Sequence, residues 1–203
     1  MTRRAAMIMV SAFAVHTHNP EEITMGSEFN LDDAIRKIPN YPKEGILFFD
    51  ITSILTNPEA FRHCIDRMVE IYKGTDVGAV AGIESRGFIF AAPLADRLGI
   101  PLILVRKAGK LPGETYHQDY NLEYGAAAVE IHKTDVPVGK DVLLIDDLIA
   151  TGGTLNAAKA ILERGGATVK NVFGIIGLPF LNFRDKLPGV EVTTLIEYEG
   201  EEM

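Results

Sequence analysis

The sequence contains a single cysteine, Cys64, among 203 residues. One cysteine excludes an intramolecular disulfide framework and fits a reducing compartment. Positive charge is scarce as well, and a net charge of −8 at pH 7 argues against general binding to nucleic acid. The five histidines show no metal-ligand spacing near acidic residues. The composition does not argue against a small anionic ligand, which needs only local positive charge.

The sequence also lacks an apolar run long enough to span a bilayer as a helix. The N-terminal run Ala5–Val15 has the outline of a weak secretory signal but is too short for a membrane span. We interpret residues 1–27 as a disordered extension or as the result of a start codon assigned too early, with Met25 as the alternative start. A transit peptide is a third interpretation. Residues 28–203 are then expected to form one domain, located in the cytoplasm, with no membrane partner.

The most informative stretch present is Asp141–Thr154. Four consecutive apolar residues, Val142–Ile145, indicate a strand buried on both faces, and Asp146 and Asp147 follow it directly. The segment Ala150–Thr154 then leads into a helical pattern. Glycines, threonine hydroxyls and a helix N-terminus together favour a phosphate, whereas the two carboxylates suit vicinal sugar hydroxyls or a metal held against them. The stretch predicts a ribose 5-phosphate site.

Two other interpretations of this stretch are less specific. A Thr-Gly-Gly-Thr segment can be an ordinary turn between a strand and a helix, and an acid pair can be a solvated strand end. The stretch is not a Walker A loop, because no lysine follows the glycines at the required place. We favour the phosphate interpretation because the complete order of apolar strand, acid pair, small loop and helix is more specific than a glycine-rich turn alone.

The order of strand, small loop and helix recurs along the chain, which predicts an α/β fold with a mostly parallel, twisted sheet flanked by helices. In such a sheet the loops after the strands share one edge. The predicted helices are Leu31–Ile38, Pro58–Tyr72, Phe88–Leu98 and Thr154–Arg164. The predicted strands besides Val142–Ile145 are Gly45–Thr52 (or a hairpin arm), Val77–Ile83, Pro101–Val105, Ala126–His132, Val169–Leu178 and Val190–Ile196.

The segment from Arg106 to Gly125 does not follow this repeated order of strand, loop and helix. Arg106, Lys107 and Lys110 cluster directly after a strand, and a long polar and aromatic run follows. In a protein of net negative charge, such a cluster favours binding of a polyanion over a simple solvated loop. Long excursions of this kind are often active-site lids.

Five segments in this order resemble the adenine branch of the type I phosphoribosyltransferases. The resemblance covers roughly residues 30 to 198. The segments are Tyr41–Thr52, Glu84–Phe88, Arg106–Gly113, Leu122–Gly125 and Asp141–Thr154. The resemblance implies the type I fold with a flexible active-site loop and a small N-terminal hood. It also implies purine salvage, in which adenine and phosphoribosyl diphosphate (PRPP) give AMP and diphosphate, and it implies a homodimer.

The resemblance also implies roles for individual residues. The 5-phosphate and ribose would be bound by Asp146, Asp147, Ala150, Thr151, Gly152, Gly153 and Thr154. The diphosphate would be bound by Ser85, Arg86, Arg106, Lys107 and Lys110, with an unusual cis peptide between Glu84 and Ser85. Adenine would lie between Phe48 and Leu148, with its edge read by the backbone near Leu47 and Phe49. Glu123 and Arg86 would be catalytic, and Mg²⁺ would bind with PRPP rather than to a direct protein ligand.

One departure from the family pattern concerns base selection. Many family members have arginine where this chain has Phe49. If recognition there uses the backbone, the change is harmless, but if the arginine side chain reads the base, purine preference changes. A transferase for another base, such as xanthine, and a PRPP-sensing regulator without catalysis are the alternative functions. The chain has no spare length for a DNA-binding domain and its acidity opposes nucleic-acid binding, so we expect an enzyme.

Overall fold

A computed structural model describes residues 29–122 and 125–200 of the chain. The predictions made for residues 1–27 and for Glu123 lie outside the described residues. The strands are β1 (Arg36–Pro39), β2 (Leu47–Asp50), β3 (Val77–Ile83), β4 (Leu102–Lys107), β5 (Thr115–Leu122), β6 (Gly125–His132), β7 (Asp141–Ile149), β8 (Asn171–Gly177) and β9 (Glu191–Glu197). The α-helices are α1 (Thr52–Leu55), α2 (Pro58–Tyr72), α3 (Gly87–Leu98) and α4 (Gly153–Arg164).

Seven strands form the central sheet in the order β5-β6-β4-β3-β7-β8-β9. The five strands from β4 to β9 in this order are parallel, whereas β6 pairs antiparallel with both β4 and β5 at one edge. Strands β1 and β2 form a separate two-stranded antiparallel sheet, in the place of the expected N-terminal hood. The prediction of a mostly parallel sheet flanked by helices is confirmed.

Two hydrophobic clusters cover the two faces of the sheet, and β7 contributes to both. Leu143 and Ile145 pack in the cluster that includes α2 and α3, whereas Val142 and Leu144 pack in the cluster that includes α4. Successive side chains of a strand point to opposite faces, so a strand covered on both sides needs apolar residues at every position. This explains the uninterrupted apolar run that the sequence shows.

Local signals fixed the boundaries of helix α2. The Asn57 side chain accepts hydrogen bonds from the backbone N–H groups of Glu59 (3.1 Å) and Ala60 (3.2 Å), and Pro58 occupies the first turn. These contacts satisfy N–H groups that a helix start leaves unpaired. The helix spans Pro58–Tyr72, as predicted. Among the described residues, no helix combines the length and the hydropathy that a membrane span requires.

Three local predictions were wrong. The predicted helix Leu31–Ile38 is a 3-10 turn, Leu31–Ala34, followed by β1, because backbone pairing with β2 replaces the helical continuation. Asp146 and Asp147 do not follow the strand but lie within β7, whose pairing with β8 continues to Ile149. Arg106 and Lys107 do not follow the strand but form the end of β4, and much of the segment after them forms the β5–β6 hairpin.

The chain changes direction within the sheet between β3 and β7. From β3 it passes through α3 to β4 on one side, and from β7 it passes through α4 to β8 on the other. The ladder between β3 and β7 ends at Gly82 and Ile145, whereas β7 remains paired with β8 to Ile149. The two neighbouring strands therefore separate at their carboxyl ends. This is where open α/β sheets bind their ligands.

Candidate active site

A cavity of about 300 Å³ lies at this separation of β3 and β7. It brings together residues that are far apart in the sequence, and several of them were predicted as site residues. Its lining is Ile83, Glu84, Ser85, Arg86, Val105, Lys107, Tyr120, Val129, Asp146, Asp147, Leu148 and Thr154. Acidic and basic side chains thus face one space.

A second cavity of about 210 Å³ adjoins the phosphate loop, residues Ala150–Thr154, and all five of these residues line it. Asp146, Leu148 and Thr154 line both cavities, which makes the two spaces neighbours. The predicted ribose-phosphate residues are therefore together, and the predicted acid pair stands between the phosphate loop and the basic residues.

The phosphate loop owes its shape to Gly152. This residue has φ of +76°, and a Cβ there would lie 3.0 Å from the carbonyl oxygen of Phe183. Both constraints favour glycine, since other residues rarely adopt this backbone conformation. Helix α4 begins at the next residue, Gly153. The loop therefore directs unpaired backbone N–H groups and the positive end of the helix dipole toward the cavity.

The loop between β3 and α3 has a different construction. The Glu84–Ser85 peptide bond is cis, as expected from the resemblance. At Gly87 a Cβ would lie 2.8 Å from the carbonyl oxygen of Ile145 and 3.3 Å from Oδ1 of Asp146. The missing side chain lets the start of α3 press against β7. This contact brings Arg86 next to the acid pair.

The two acids of the pair differ in environment. Asp147 is only 4% exposed, and its Oδ2 accepts a hydrogen bond of 2.6 Å from Nε of Arg86. Burial, and then the neighbouring charge of Asp147, raise the pKa of Asp146 well above its ordinary value. Arg86 is therefore the direct counter-ion of Asp147, whereas Oδ1 of Asp146 accepts the backbone N–H of Asp147 at 2.9 Å.

Arg106 is also paired with an acid. Its Nε donates to Glu84 Oε2 at 2.9 Å, and the backbone N–H of Lys107 donates to the same oxygen at 2.8 Å. Burial opposes ionisation of Glu84, but the hydrogen bonds and charges of Arg106 and Lys107 outweigh it and lower the pKa. Lys107 lines the larger cavity, whereas Arg106 and Lys110 line neither cavity.

The residues predicted to bind the base are divided between two places. Leu148 lines both cavities, but Leu47, Phe48 and Phe49 lie on β2 and line neither. Phe48 is half-buried and meets Tyr41 edge to face, with ring centroids 5.1 Å apart. Phe49 is 4% exposed and stacks on Tyr198 at 3.9 Å. The Phe49 side chain is thus part of the core.

Sequence reasoning missed three residues that shape the site. Glu84 holds Arg106, and Tyr120 lines the larger cavity, where its hydroxyl accepts a 3.2 Å hydrogen bond from Thr154. Glu130, 5% exposed, accepts the backbone N–H groups of Lys110 and Leu111. The aromatic run after Lys110 was the only available signal for Tyr120, and nothing local marked Glu130.

The described residues contain no group of three or more histidine, cysteine, aspartate or glutamate side chains that could hold a metal ion. Asp146 and Asp147 offer two carboxylates and no third. This donor set suits a hydrated cation that arrives with phosphate oxygens better than it suits a metal held by protein alone.

Known proteins match this arrangement over most of the chain. The family model described as "Phosphoribosyl transferase domain" matches residues 50–176. An adenine phosphoribosyltransferase from Treponema denticola is 63% identical over 173 residues, which is 85% of this chain and 91% of that protein. One from Borreliella afzelii is 45% identical over 168 residues, covering 83% of this chain and 96% of the relative.

Solved structures agree with these relatives. The crystal structure of adenine phosphoribosyltransferase from Thermoanaerobacter pseudethanolicus has a TM-score of 0.79 and 42% identity, covering 83% of this chain and all (100%) of the other. The enzyme from Trypanosoma brucei, in complex with AMP, pyrophosphate and ribose-5-phosphate, has a TM-score of 0.76 and 29% identity, covering 84% of this chain and 81% of the other. The chain belongs to the phosphoribosyl transferase family, on its adenine phosphoribosyltransferase branch.

Proposed function

We propose that this chain is a purine-salvage enzyme that transfers the 5-phosphoribosyl group from PRPP to adenine, giving AMP and diphosphate. The observation that carries the proposal is the cavity of about 300 Å³ where β3 and β7 separate. It joins Thr154 of the phosphate loop, the acid pair and Arg86. A phosphate, ring hydroxyls and a diphosphate are the three parts of PRPP that such a surface can bind. The relatives named for the adenine reaction support the choice of base.

The 5-phosphate binds at Ala150–Thr154, where backbone N–H groups and threonine hydroxyls donate to it. Asp146 and Asp147 contact the 2- and 3-hydroxyls of the ribose. Asp147 holds Arg86 through its Oδ2, so its other carboxylate oxygen is the one that can accept from a ribose hydroxyl. The two acids then play different parts in holding one sugar.

The diphosphate binds at Ser85, Arg86, Arg106, Lys107 and Lys110. Arg86 and Arg106 already have carboxylate partners, so the diphosphate shares or replaces Asp147 and Glu84 as their counter-ions. An arginine that is already paired with a carboxylate attracts a distant anion less strongly, but the pairing holds its guanidinium group in a fixed orientation. Arg86 uses Nε toward Asp147, which leaves its two terminal nitrogens for a bidentate contact with the leaving group.

The reaction breaks the bond between the anomeric carbon and diphosphate and forms one between that carbon and N9 of adenine. Positive charge develops on the sugar and negative charge on the leaving diphosphate, which Arg86 stabilises. Adenine loses its N9 proton, and we assign the accepting carboxylate to Glu123, outside the described residues, from the family resemblance. Mg²⁺ bound with PRPP supplies additional neutralisation of the diphosphate oxygens.

Adenine lies beside Leu148, with Phe48 as the second wall and the backbone around Leu47 and Phe49 reading its edge. Leu148 separates the acid pair from the phosphate loop in sequence, so the same segment touches sugar, phosphate and base. Backbone groups can distinguish the 6-amino group and N1 of adenine from the donor pattern of hypoxanthine or guanine.

Incubation of the protein with adenine, PRPP and Mg²⁺ is expected to give AMP and diphosphate, measured by chromatography. Adenine should be the best acceptor in a panel with xanthine, hypoxanthine and guanine. A better rate with xanthine would make the chain a transferase for another base. PRPP binding without AMP formation would instead support a regulator.

The role of Glu123 has its own test. Glu123→Gln should lower kcat by about 10²–10⁴-fold, the usual contribution of general acid–base catalysis, while the Kd for PRPP changes little. The conservative change keeps size and hydrogen-bonding shape, so a loss of turnover reports the proton acceptor. An unchanged kcat would remove Glu123 from the mechanism.

Location and assembly are proposals of the same kind. We propose a cytoplasmic homodimer. The single cysteine, which is buried, supports a reducing location, and the family resemblance supports the dimer. Light scattering of the purified protein at several concentrations is expected to give a mass of twice 22.2 kDa, and a monomer mass would contradict the dimer.

A further inference from the structure

Strand β5 of the hairpin packs along helix α4 and is fastened to it near both ends. Near the C-terminal end of α4, Arg164 donates to the carbonyl oxygen of His117 at 2.7 Å, and its guanidinium carbon lies 5.4 Å from the ring centroid of Tyr116. Near the N-terminal end, Thr154 Oγ1 lies 3.2 Å from the Tyr120 hydroxyl. The strand therefore runs antiparallel to the helix.

The spacing of these contacts is consistent on both elements. From Tyr116 to Tyr120 a strand advances about 13 Å, and from Thr154 to Arg164 a helix advances about 15 Å. Residues four apart in a strand point to the same face. Both tyrosines therefore face α4, but only Tyr120 lines the larger cavity.

Tyr120 has the hydrogen-bonding capacity for an anion. Its oxygen accepts the hydrogen bond from Thr154. A phenolic hydroxyl also carries one proton of its own, which it can donate to another acceptor. Tyr120 lines the larger cavity together with Thr154, and Thr154 also lines the smaller cavity at the phosphate loop. An anion bound at Thr154 is therefore within reach of a neutral donor from the hairpin as well as of donors from the loop.

We propose that Tyr120 is a binding residue for the 5-phosphate of PRPP, acting as a pair with Thr154. The inference rests on the proposed function, which puts that phosphate at the start of α4. A phosphate oxygen that accepts a hydrogen bond from each hydroxyl replaces the direct contact between them. The 5-phosphate then bridges the loop before α4 and the hairpin strand that leads to Glu123.

The pair selects a phosphate monoester rather than the diphosphate. Thr154 belongs to the first turn of α4, whose positive end favours a compact anion, and Tyr120 bonds to Thr154. The diphosphate is assigned to Arg86 and Lys107. Ribose 5-phosphate and pyrophosphate, each used alone, therefore separate the two parts of the site.

The test compares Tyr120→Phe with Tyr116→Phe by calorimetric titration. Each change removes one hydroxyl and keeps the ring, so packing against α4 is retained. Tyr120→Phe is expected to weaken ribose 5-phosphate binding about tenfold and leave pyrophosphate binding within about twofold, the loss of one hydrogen bond to a charged ligand. Tyr116→Phe should leave both affinities unchanged. The KM for PRPP should rise in the first variant alone.

The outcomes separate this inference from the proposed function. If the wild type makes AMP and Tyr120→Phe binds ribose 5-phosphate as the wild type does, the role of Tyr120 is refuted and the function stands. If the wild type makes no AMP but Tyr120→Phe selectively weakens ribose 5-phosphate, the proposed function fails and the phosphate contact stands. Equal weakening of both ligands with a lower Tm would show a structural role and overturn the inference.

Discussion

The two loops that lead from a strand into a helix at the cavity, Glu84–Arg86 before α3 and Ala150–Gly152 before α4, occupy equivalent places in the fold. The first carries charged side chains, and its arginine is paired with a buried carboxylate of β7. The second carries no charged side chain and relies on backbone N–H groups, a glycine at φ of +76° and the helix start. The same topology thus carries two different constructions for the proposed anion sites.

The difference lies in what must change when an anion arrives. At the Ala150–Gly152 loop, the backbone is already shaped, and few contacts need replacing. At the Glu84–Arg86 loop, the arginine already has Asp147 as its counter-ion at 2.6 Å, so the proposed diphosphate would enter an existing charge network. Removal of a charged side chain should therefore weaken ligand binding at the Glu84–Arg86 loop far more than at the Ala150–Gly152 loop. A change of backbone shape should weaken binding mainly at the Ala150–Gly152 loop.

Among changes in the two loops, replacement of Arg86 should cause the largest loss of activity. Arg86→Gln removes the diphosphate contact and leaves Asp147, with 5% of its side chain exposed, without a cation. Arg86 itself is 46% exposed, but loss of one positioned donor to a leaving group typically lowers the rate about 10²–10³-fold, so kcat/KM for PRPP should fall about a hundredfold or more. Steady-state kinetics with varied PRPP measure this loss.

Arg97→Gln is the matched control for that change. Arg97 lies on the same helix, α3, and pairs with Asp66 at 3.1 Å, but both side chains are nearly half exposed. Exposed pairs contribute about 0–1 kcal/mol, so this variant should keep its activity within about twofold. Similar losses in the two variants would show that Arg86 acts through general charge rather than through the site.

The second loop should respond to backbone shape. Gly152→Ala introduces a Cβ at φ of +76° and 3.0 Å from the Phe183 carbonyl oxygen, whereas Gly139→Ala has φ of +74° with nothing within 4 Å. Both changes should cost roughly 1–2 kcal/mol of unfolding free energy for the left-handed backbone. Only Gly152→Ala should also weaken ribose 5-phosphate, by about tenfold. Equal affinities in the two variants would contradict a shaped phosphate loop.

The same contrast explains what the sequence could reveal. Glycines, threonines and an acid pair in order predicted the phosphate loop because its shape depends on neighbours in the chain. The carboxylate partners of Arg86 and Arg106 lie 61 and 22 residues away in the sequence. The sequence therefore predicted both arginines as cations that could bind an anion, without showing that each already has a carboxylate partner. Long-range pairing of this kind leaves no local pattern, so the sequence indicated the charges without their counter-ions.

Secondary structure follows the same rule. Helix α2 was predicted to the residue because its cap and apolar spacing are local. The segment after Leu31 has helical spacing too, yet it becomes β1 because pairing with β2 decides its conformation. The contact of Tyr120 with Thr154 joins elements 34 residues apart, and it required the packing of β5 on α4.

A smaller effect concerns Glu130, which holds the backbone of the segment after β4 that contains Lys110. Its Oε1 accepts backbone N–H groups of Lys110 at 2.7 Å and Leu111 at 2.8 Å. Burial opposes ionisation, but these amides outweigh it, so the pKa of Glu130 is lowered. Glu130→Gln should cost about 1.5–3 kcal/mol of unfolding free energy at pH 7.

The sign of the pH dependence follows from that lowered pKa. Stabilisation by Glu130 is fully present above the pKa of about 4.3 for an unfolded-chain glutamate, and it is lost as the pH falls through the lower folded pKa. The difference between wild type and Glu130→Gln in urea unfolding should therefore shrink in acid. Glu114→Gln is the control, because Glu114 pairs with Lys133 with 83% of its side chain exposed. A difference that does not vary with pH would contradict an ionised Glu130.

The smallest effect on catalysis is expected for a change at Phe49. This change tests whether the side chain at position 49 takes part in recognition of the base. Phe49 is 4% exposed and stacks on Tyr198 with an interplanar angle of 13°. Phe49→Leu removes an aromatic pair worth about 0.5–1.5 kcal/mol, so Tm should fall. If the backbone reads the base, as proposed, the KM for adenine and the preference over hypoxanthine should stay unchanged.

Phe48→Leu is the contrasting change on the same strand. Adjacent residues of a strand point to opposite faces, so Phe48 faces away from the Phe49 packing and remains half-buried. Loss of its ring should raise the KM for adenine by up to about tenfold, within the 1–3 kcal/mol measured for base–aromatic stacking. If Phe49→Leu instead altered the ratio of adenine to hypoxanthine, the side chain at this position would read the base. The departure from the family's arginine would then be a change of specificity.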